Sequence, residues 1–298
     1  MVPASRSWSP VPELDVWMRR RPGGDVRGRV RVRRRDGGDV PLQRRTPSPP
    51  PVVPSDRDVV AEALAARPFY ISHRLGGTEY PEFTQRGLDA SLRAGFKILE
   101  ISVRRCASGE LVAVHDWKTT RTVPGTDLPI WSTPWSTLRT LTQASGPFLR
   151  LTDVVDQIPD DIVLAIDHKD TSSKVQANPS ELQSESELLD YLDTAFGGHP
   201  ERRVLWKNFL RAGSVSRARA RGYRTMCMLY ERELSGVDMS QWDVLGLEWN
   251  AGADAWNRLK SAGRPTIAHI ITNQGQAAQA LRMGADGLMA SYPSRVHP

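Results

Sequence analysis

Phe69-Tyr70-Ile71-Ser72-His73-Arg74-Leu75-Gly76-Gly77-Thr78-Glu79-Tyr80-Pro81-Glu82-Phe83-Thr84 is the stretch from which the rest of the chain can be read. Apolar and small residues over 69–72 predict a buried strand. Two glycines and a Pro-Glu predict a loop, and Thr84 predicts a helix cap. A His-Arg pair at the carboxyl end of a strand puts a group that titrates near neutral pH beside a fixed fork of anion-binding donors.

Downstream of this unit the same order repeats. Strands are expected at 96–103, 111–115, 162–167, 203–207, 225–230, 244–248, 265–270 and 287–290. Helices are expected at 59–66, 84–94, 152–158, 184–196, 215–221, 253–262 and 274–283. Short strands rich in Val, Ile and Leu alternating with helices predict a parallel sheet covered on its faces. About eight such units over ~240 residues fit a closed (β/α)8 TIM barrel. A doubly wound open sheet is the alternative, weakened by the absence of a Gly-x-Gly-x-x-Gly after the first strand.

The chain has 298 residues, 39% of them apolar, with a mean hydropathy of −0.43. Its formal charge of +6 is local. Residues 1–58 carry thirteen arginines against seven acidic residues, and the remainder carries 27 of each sign. The globular part therefore lacks the basic bias of a nucleic-acid binder, and no specific nucleic-acid partner is expected. Within the arm, Val26–Arg33 alternates strictly and is followed by an Asp36-Gly37-Gly38-Asp39 turn and Val40–Arg44. That pattern reads as an arginine-faced β-hairpin ordered by an assembly partner or an anionic surface, or else as a solvated, disordered basic arm. Thr46–Pro54 holds five prolines in nine residues, a semi-rigid spacer. The expected organisation is an arm and linker at 1–58 and a barrel at 59–298. Two cysteines, Cys106 and Cys227, fit no zinc spacing. No apolar run approaches the ~20 residues of a membrane span, and no secretory signal is expected. The expected location is the cytoplasm, or a virion if the chain is a tail component.

In a (β/α)8 barrel the chemistry sits at the carboxyl ends of the strands. Reading those ends yields His73 and Arg74, Glu100 and Ser102, His115 and Asp116, Asp167 and Lys169, Lys207, and Glu248 with Trp249. Residues i and i+2 share a face, so Glu100 points with Ser102 and Asp167 with Lys169. Carboxylates on neighbouring strands suit a hard divalent cation, and flanking histidines suit acid–base work. The competing reading of Glu100 and Asp167 is ion pairing with Arg74 and Lys169. Trp249 is the candidate for stacking on a substrate. His168 alternates away from the site, and His269 is read as core or rim packing.

This set resembles the glycerophosphodiester phosphodiesterases from about residue 68 to 295. The family's His-Arg-Gly-Gly and Pro-Glu-Asn-Thr are similar to His73-Arg74-Leu75-Gly76-Gly77 and Pro81-Glu82-Phe83-Thr84. Its Glu-x-Asp is matched by Glu100-Ile101-Ser102, and its His-Asp with a following Arg-Thr by His115-Asp116 and Arg121-Thr122. Its Glu-x-Lys is matched by Asp167-His168-Lys169, and its closing Gly-x-Asp-Gly and Pro by Gly284-Ala285-Asp286-Gly287 and Pro293. The resemblance implies a phosphodiester hydrolase acting on glycerophosphodiester-like substrates, either lipid-derived diesters or glycerol-phosphate polymers such as teichoic acid. His73 and His115 would be the acid–base pair, and Arg74 and Lys169 the phosphate ligands. Glu100, Asp167 and Ser102 would surround a Ca2+ or Mg2+ ion. Ser102 stands where the family has an aspartate, and Asp167 where it has a glutamate. Those departures motivate the alternative, a weakened barrel that binds a polymer or serves an assembly such as a phage tail.

Overall fold

The computed structural model describes residues 57–144, 146–169, 179–209 and 215–298, together with three short strands at 15–17, 31–33 and 39–40. The chain divides into two compact units, Met1–Val52 and Val53–Pro298.

In the first unit the strand Arg31–Arg33 pairs antiparallel with Asp39–Val40 on one side and Asp15–Trp17 on the other. The sequence reading expected the first of these pairings and did not expect a strand at 15–17. The turn at 36–38 and the spacer over 46–54 lie outside the described residues.

The second unit is a closed barrel of eight parallel strands: β1 Phe69–Ser72, β2 Ile98–Arg105, β3 Val163–His168, β4 Val204–Phe209, β5 Arg224–Leu229, β6 Val244–Glu248, β7 Thr266–Ile271 and β8 Gly287–Ala290. Each strand pairs with the next, and β8 pairs back onto β1. Alternation along the strands sorts the side chains into two layers. Phe69, Ile71, Ile98, Val163, Ala165, Leu205, Met226, Met228, Val244, Ile267 and Met289 fill the barrel interior. Val59, Val60 and Leu64 join that cluster from the helix Val59–Ala65. Leu99, Ile101, Leu164, Ile166, Trp206, Leu245, Leu247 and Ala268 point the other way, into the layer shared with the surrounding helices.

The opening stretch folds as its residues dictate. Thr84 is extended and accepts a hydrogen bond from the Gly87 amide at the start of the helix Gln85–Arg93. Gly87 is required by proximity: a Cβ there would lie 2.3 Å from the Leu75 carbonyl oxygen. Arg74, Leu75 and Phe83 have positive φ of 49°, 54° and 54°. Such residues are held by their surroundings. Here Leu75 and Phe83 are fully buried in the outer core, which leaves Arg74 turned toward the barrel mouth.

One expected barrel strand has a different place. Leu111–Ala113 runs antiparallel to β2 and belongs to an excursion between β2 and β3. Cys106, Val112, Val114, Val123, Ile130, Leu138 and Phe148 give that excursion a small core of its own. Short Val-rich strands look alike in sequence whether their neighbour is parallel or antiparallel. The β5-to-β6 connection uses 3-10 turns, Glu231–Gly236 and Met239–Gln241, in place of an α-helix.

Candidate active site

The strand ends and the excursion enclose a cavity of about 520 Å3 at the barrel mouth. Four basic side chains line it, Arg74, Arg104, Lys169 and Lys207, along with His73, His115 and His269. Asp116 and Asp167 are the carboxylates in the lining. Phe209, Met228, Tyr230, Ile270, Met289 and Trp117 supply the apolar wall.

The floor is a cluster of four charges. Lys207 reaches between two strands and donates to Glu100 Oε1 at 3.0 Å and to Asp167 Oδ2 at 2.7 Å. Lys169 Nζ lies 2.7 Å from the same Asp167 oxygen. The other Glu100 oxygen accepts the Arg74 backbone N–H at 2.6 Å, which explains the left-handed turn at Arg74. Burial opposes charge on both Asp167 and Lys207, but it is outweighed by Lys169 and Lys207 at Asp167 and by Asp167 and Glu100 at Lys207. Asp167 is held well below the usual carboxylate range, and Lys207 is raised above its ordinary value. Burial wins at Lys169, whose pKa is lowered.

His115 sits on the excursion, just beyond Leu111–Ala113. Its Nδ1 is 2.7 Å from Asp116 Oδ1. A carboxylate only accepts, so Nδ1 carries the proton and Nε2 is the acceptor. Asp116 is held in turn by Arg121 Nε, Arg121 Nη2 donates to Glu82 at 2.7 Å, and Glu82 accepts Arg74 Nη1 at 2.8 Å. Glu82 is 4% exposed and is neutralised by two arginines, so it is an organiser of the loop. Arg104 ties the excursion to the barrel by donating to the His115 carbonyl at 3.2 Å and the Lys169 carbonyl at 3.1 Å.

His73 hydrogen-bonds through Nδ1 to Ser291 Oγ at 3.1 Å, and Ser291 also meets Thr78 Oγ1 at 2.6 Å. Burial pushes His73 well below its ordinary pKa, and the charges of Arg74 and Lys207 act in the same direction. Burial lowers His115 too, against the opposing pull of Asp116. Both imidazoles are therefore neutral in the free protein at neutral pH.

Apart from Glu248, which stays outside the cavity, the residues named from strand ends gather at the barrel mouth, Glu100 and Ser102 buried without lining the cavity, with three further differences. Trp249 follows the rim residue Glu248 by one position, so it alternates outward and packs on the outer layer, away from the cavity. His269, read as packing, faces the cavity and donates from Nε2 to the Leu229 carbonyl at 2.9 Å. Phe209 and Tyr230 were missed. They stack at 6.0 Å, with the Lys207 ammonium 5.4 Å from the Phe209 ring centre. The i, i+2 rule applied to Lys207 and Met228 would have found both. His168 packs its ring against Trp206 in the outer layer, 6.1 Å between ring centres, and also borders the cavity.

The residues expected to surround a divalent ion do not fit one as they stand. Glu100 and Asp167 already neutralise two ammonium groups, and Ser102 brings no charge. The Ser102 hydroxyl is fully buried without a hydrogen-bond partner. Among the described residues no three His, Cys, Asp or Glu side chains converge as a metal-binding group. In the sequence, Glu82, Asp170 and Glu248 are the candidates to replace the missing charge of Ser102; Glu82 is held by Arg74 and Arg121, and Glu248 accepts from the Glu231 amide at 3.1 Å. Asp170 lies outside the described residues.

The sequence profile of the glycerophosphoryl diester phosphodiesterase family matches residues 73–294. The curated protein named probable glycerophosphodiester phosphodiesterase 1 of Mycobacterium tuberculosis is 39% identical over 67 residues. Those residues are 22% of this chain and 24% of that relative, so the match spans about a quarter of the curated protein. Among solved structures, a phosphodiesterase of Oleispira antarctica in complex with the product sn-glycerol-3-phosphate superposes with a TM-score of 0.62 at 20% identity, covering 78% of this chain and 96% of that one. A glycerophosphodiester phosphodiesterase of Thermotoga maritima gives 0.59 at 18% identity, covering 75% and 94%. At such identities the likeness is one of fold.

Proposed function

Since the chain belongs to the glycerophosphoryl diester phosphodiesterase family, we propose that it hydrolyses glycerophosphodiesters at the barrel mouth, with His73 and His115 as the acid–base pair. The observation that carries this reading is that His73, His115 and four basic side chains share one cavity. An anion is the ligand such a surface takes. A phosphodiester supplies one negative charge and two esterified oxygens for the histidines to serve.

Arg74 and Lys169 bind the phosphate oxygens and stabilise the charge that grows on them in the transition state. A bound phosphate sets a negative charge against the burial and the Arg74 and Lys207 charges that lower His73 in the free protein, and His73 serves as the acid. A glycerol hydroxyl next to the phosphate attacks phosphorus and gives its proton to His115 Nε2. Asp116 stabilises the imidazolium that forms. The bond from phosphorus to the alcohol breaks, and the departing oxygen takes the His73 proton. Water then attacks the cyclic ester, giving a proton to His73, while the glycerol oxygen leaves with the proton held on His115. The products are an alcohol and glycerol phosphate, and both histidines return to their starting states.

A panel of glycerophosphocholine, glycerophosphoethanolamine and a poly(glycerol phosphate), each incubated with the full-length protein, tests this reading. Release of alcohol and glycerol phosphate from at least one diester is expected. Saturable binding of these compounds with no turnover would instead make the barrel a binding module.

A further inference from the structure

Ser102, Asp167 and Lys207 stand opposite one another in register on β2, β3 and β4, so one row across three adjacent strands reads serine, aspartate, lysine. All three are buried, and Asp167 and Lys207 line the cavity. The serine is the small member of the row, and the lysine is the long one, reaching across Asp167 to Glu100 on β2. Two carboxylates facing two ammonium groups give a floor with no net charge. A divalent ion bound there in addition would leave two positive charges uncompensated in a buried site, which is costly unless a lysine leaves or loses its proton. Calcium and magnesium sites are instead assembled from several anionic or carbonyl oxygens that are free to coordinate.

We propose that the Lys207 ammonium occupies the place of the divalent cation that family membership implies, so that this site binds no Ca2+ or Mg2+ and its diester hydrolysis requires none. Two of the three ammonium donors hold Glu100 and Asp167. The third faces the cavity, where it meets a phosphate oxygen. Lys207 then supplies the fixed positive charge and Lys169 with Arg74 the adaptable contacts. The hydrolytic half of this inference rests on the function proposed above. The exclusion of the cation rests on the floor geometry alone.

The two halves are separated by measuring binding and turnover independently. Calorimetric titration of the full-length, chelator-treated protein with Ca2+ and with Mg2+ should show no saturable binding up to millimolar ion. The double variant Ser102→Asp/Lys207→Ala restores a third carboxylate and removes the competing cation. It should bind at least one of the two ions saturably, with its fold checked by circular dichroism. Glycerophosphocholine turnover by the wild type should change less than about twofold between excess chelator and millimolar Mg2+ or Ca2+. Lys207→Ala without added metal should lower kcat by about 10²–10³-fold, the scale of losing one preorganised charge-stabilising group. Micromolar ion binding by the wild type would overturn the inference even if no diester were ever turned over. So would turnover abolished by chelator and restored by metal. A folded double variant that binds neither ion would show that Lys207 does not occupy a cation's place.

Discussion

His269 offers a way to check the buried electrostatics of the barrel mouth without any assumption about substrate. It is 5% exposed, packs edge-on against Tyr230 at 5.8 Å between ring centres, and donates to the Leu229 carbonyl. Burial pushes its pKa from 6.5 down to about 4, with the Lys207 charge acting in the same direction and the Leu229 hydrogen bond opposing. A histidine whose folded pKa lies below its unfolded value contributes stability that is whole above the unfolded pKa and is lost as pH falls toward the folded one. The window is therefore from about pH 6.5 down to about pH 4. At about 1.4 kcal/mol per pH unit, the full loss is about 3 kcal/mol, of which about 2 kcal/mol has gone by pH 5. In His269→Gln the side-chain amide can still donate to the Leu229 carbonyl but does not titrate. Urea unfolding of both proteins at pH 7 and pH 5 isolates the term, because every other titrating group is common to the two. The wild type should lose about 2 kcal/mol more than the variant across that step. Equal losses would mean that His269 is solvated or charged at pH 5, and that the cavity wall is not packed as described.

His73→Ala and His115→Ala, with folding checked by circular dichroism, should each lower kcat by about 10²–10⁴-fold, and a folded variant with near-normal kcat would remove that histidine from the mechanism. Since both imidazoles are pushed down in the free protein, the acid limb of kcat/KM should fall below pH 6.5, and a limb centred above that value would contradict their burial. We propose that the arm serves location or assembly, so deleting residues 1–56 should leave Tm and specific activity unchanged while weakening salt-sensitive binding to an anionic polymer or surface. Deleting residues 1–58 should cost about 1 kcal/mol more in urea unfolding, because Asp58 caps the helix Val59–Ala65 through the Ala61 amide and pairs with Arg224.

The barrel was legible because its signal is local. Most strands are short apolar runs, the helices Val59–Ala65, Gln85–Arg93 and Gln274–Arg282 carry side-chain caps from Asp58, Thr84 and Asn273, and closure follows from counting. Glu100, Asp167 and Lys169 were legible because alternation fixes which strand-end residues point inward, and His73 and Arg74 because they close the first strand, although Arg74 reaches the mouth through its left-handed turn. The two readings of Glu100 and Asp167, metal ligation or ion pairing, differ in a property that alternation does not carry. Lys169 does pair with Asp167, as the second reading held, while Arg74 meets Glu100 through its backbone. The decisive partner, Lys207, lies 107 residues from Glu100 and 40 from Asp167, and only the strand register brings it there. Trp249 was misplaced by one step of the same alternation. The strand that leads to His115 was read as a barrel strand because nothing in Leu111–Ala113 encodes the direction of its neighbour. Arg104 and Ser291 escaped notice because their work is to hold other residues, and that work appears only once the chain is folded.

The most direct test of the account is phosphorus NMR of glycerophosphocholine mixed with the full-length protein and, in parallel, with the His73→Ala/His115→Ala variant. The account predicts that the diester resonance gives way to that of glycerol phosphate in the wild-type sample and persists in the other. An unchanged diester resonance with wild-type protein, at any pH between 6 and 9 and with or without divalent ion, or equal conversion by both proteins, would contradict it.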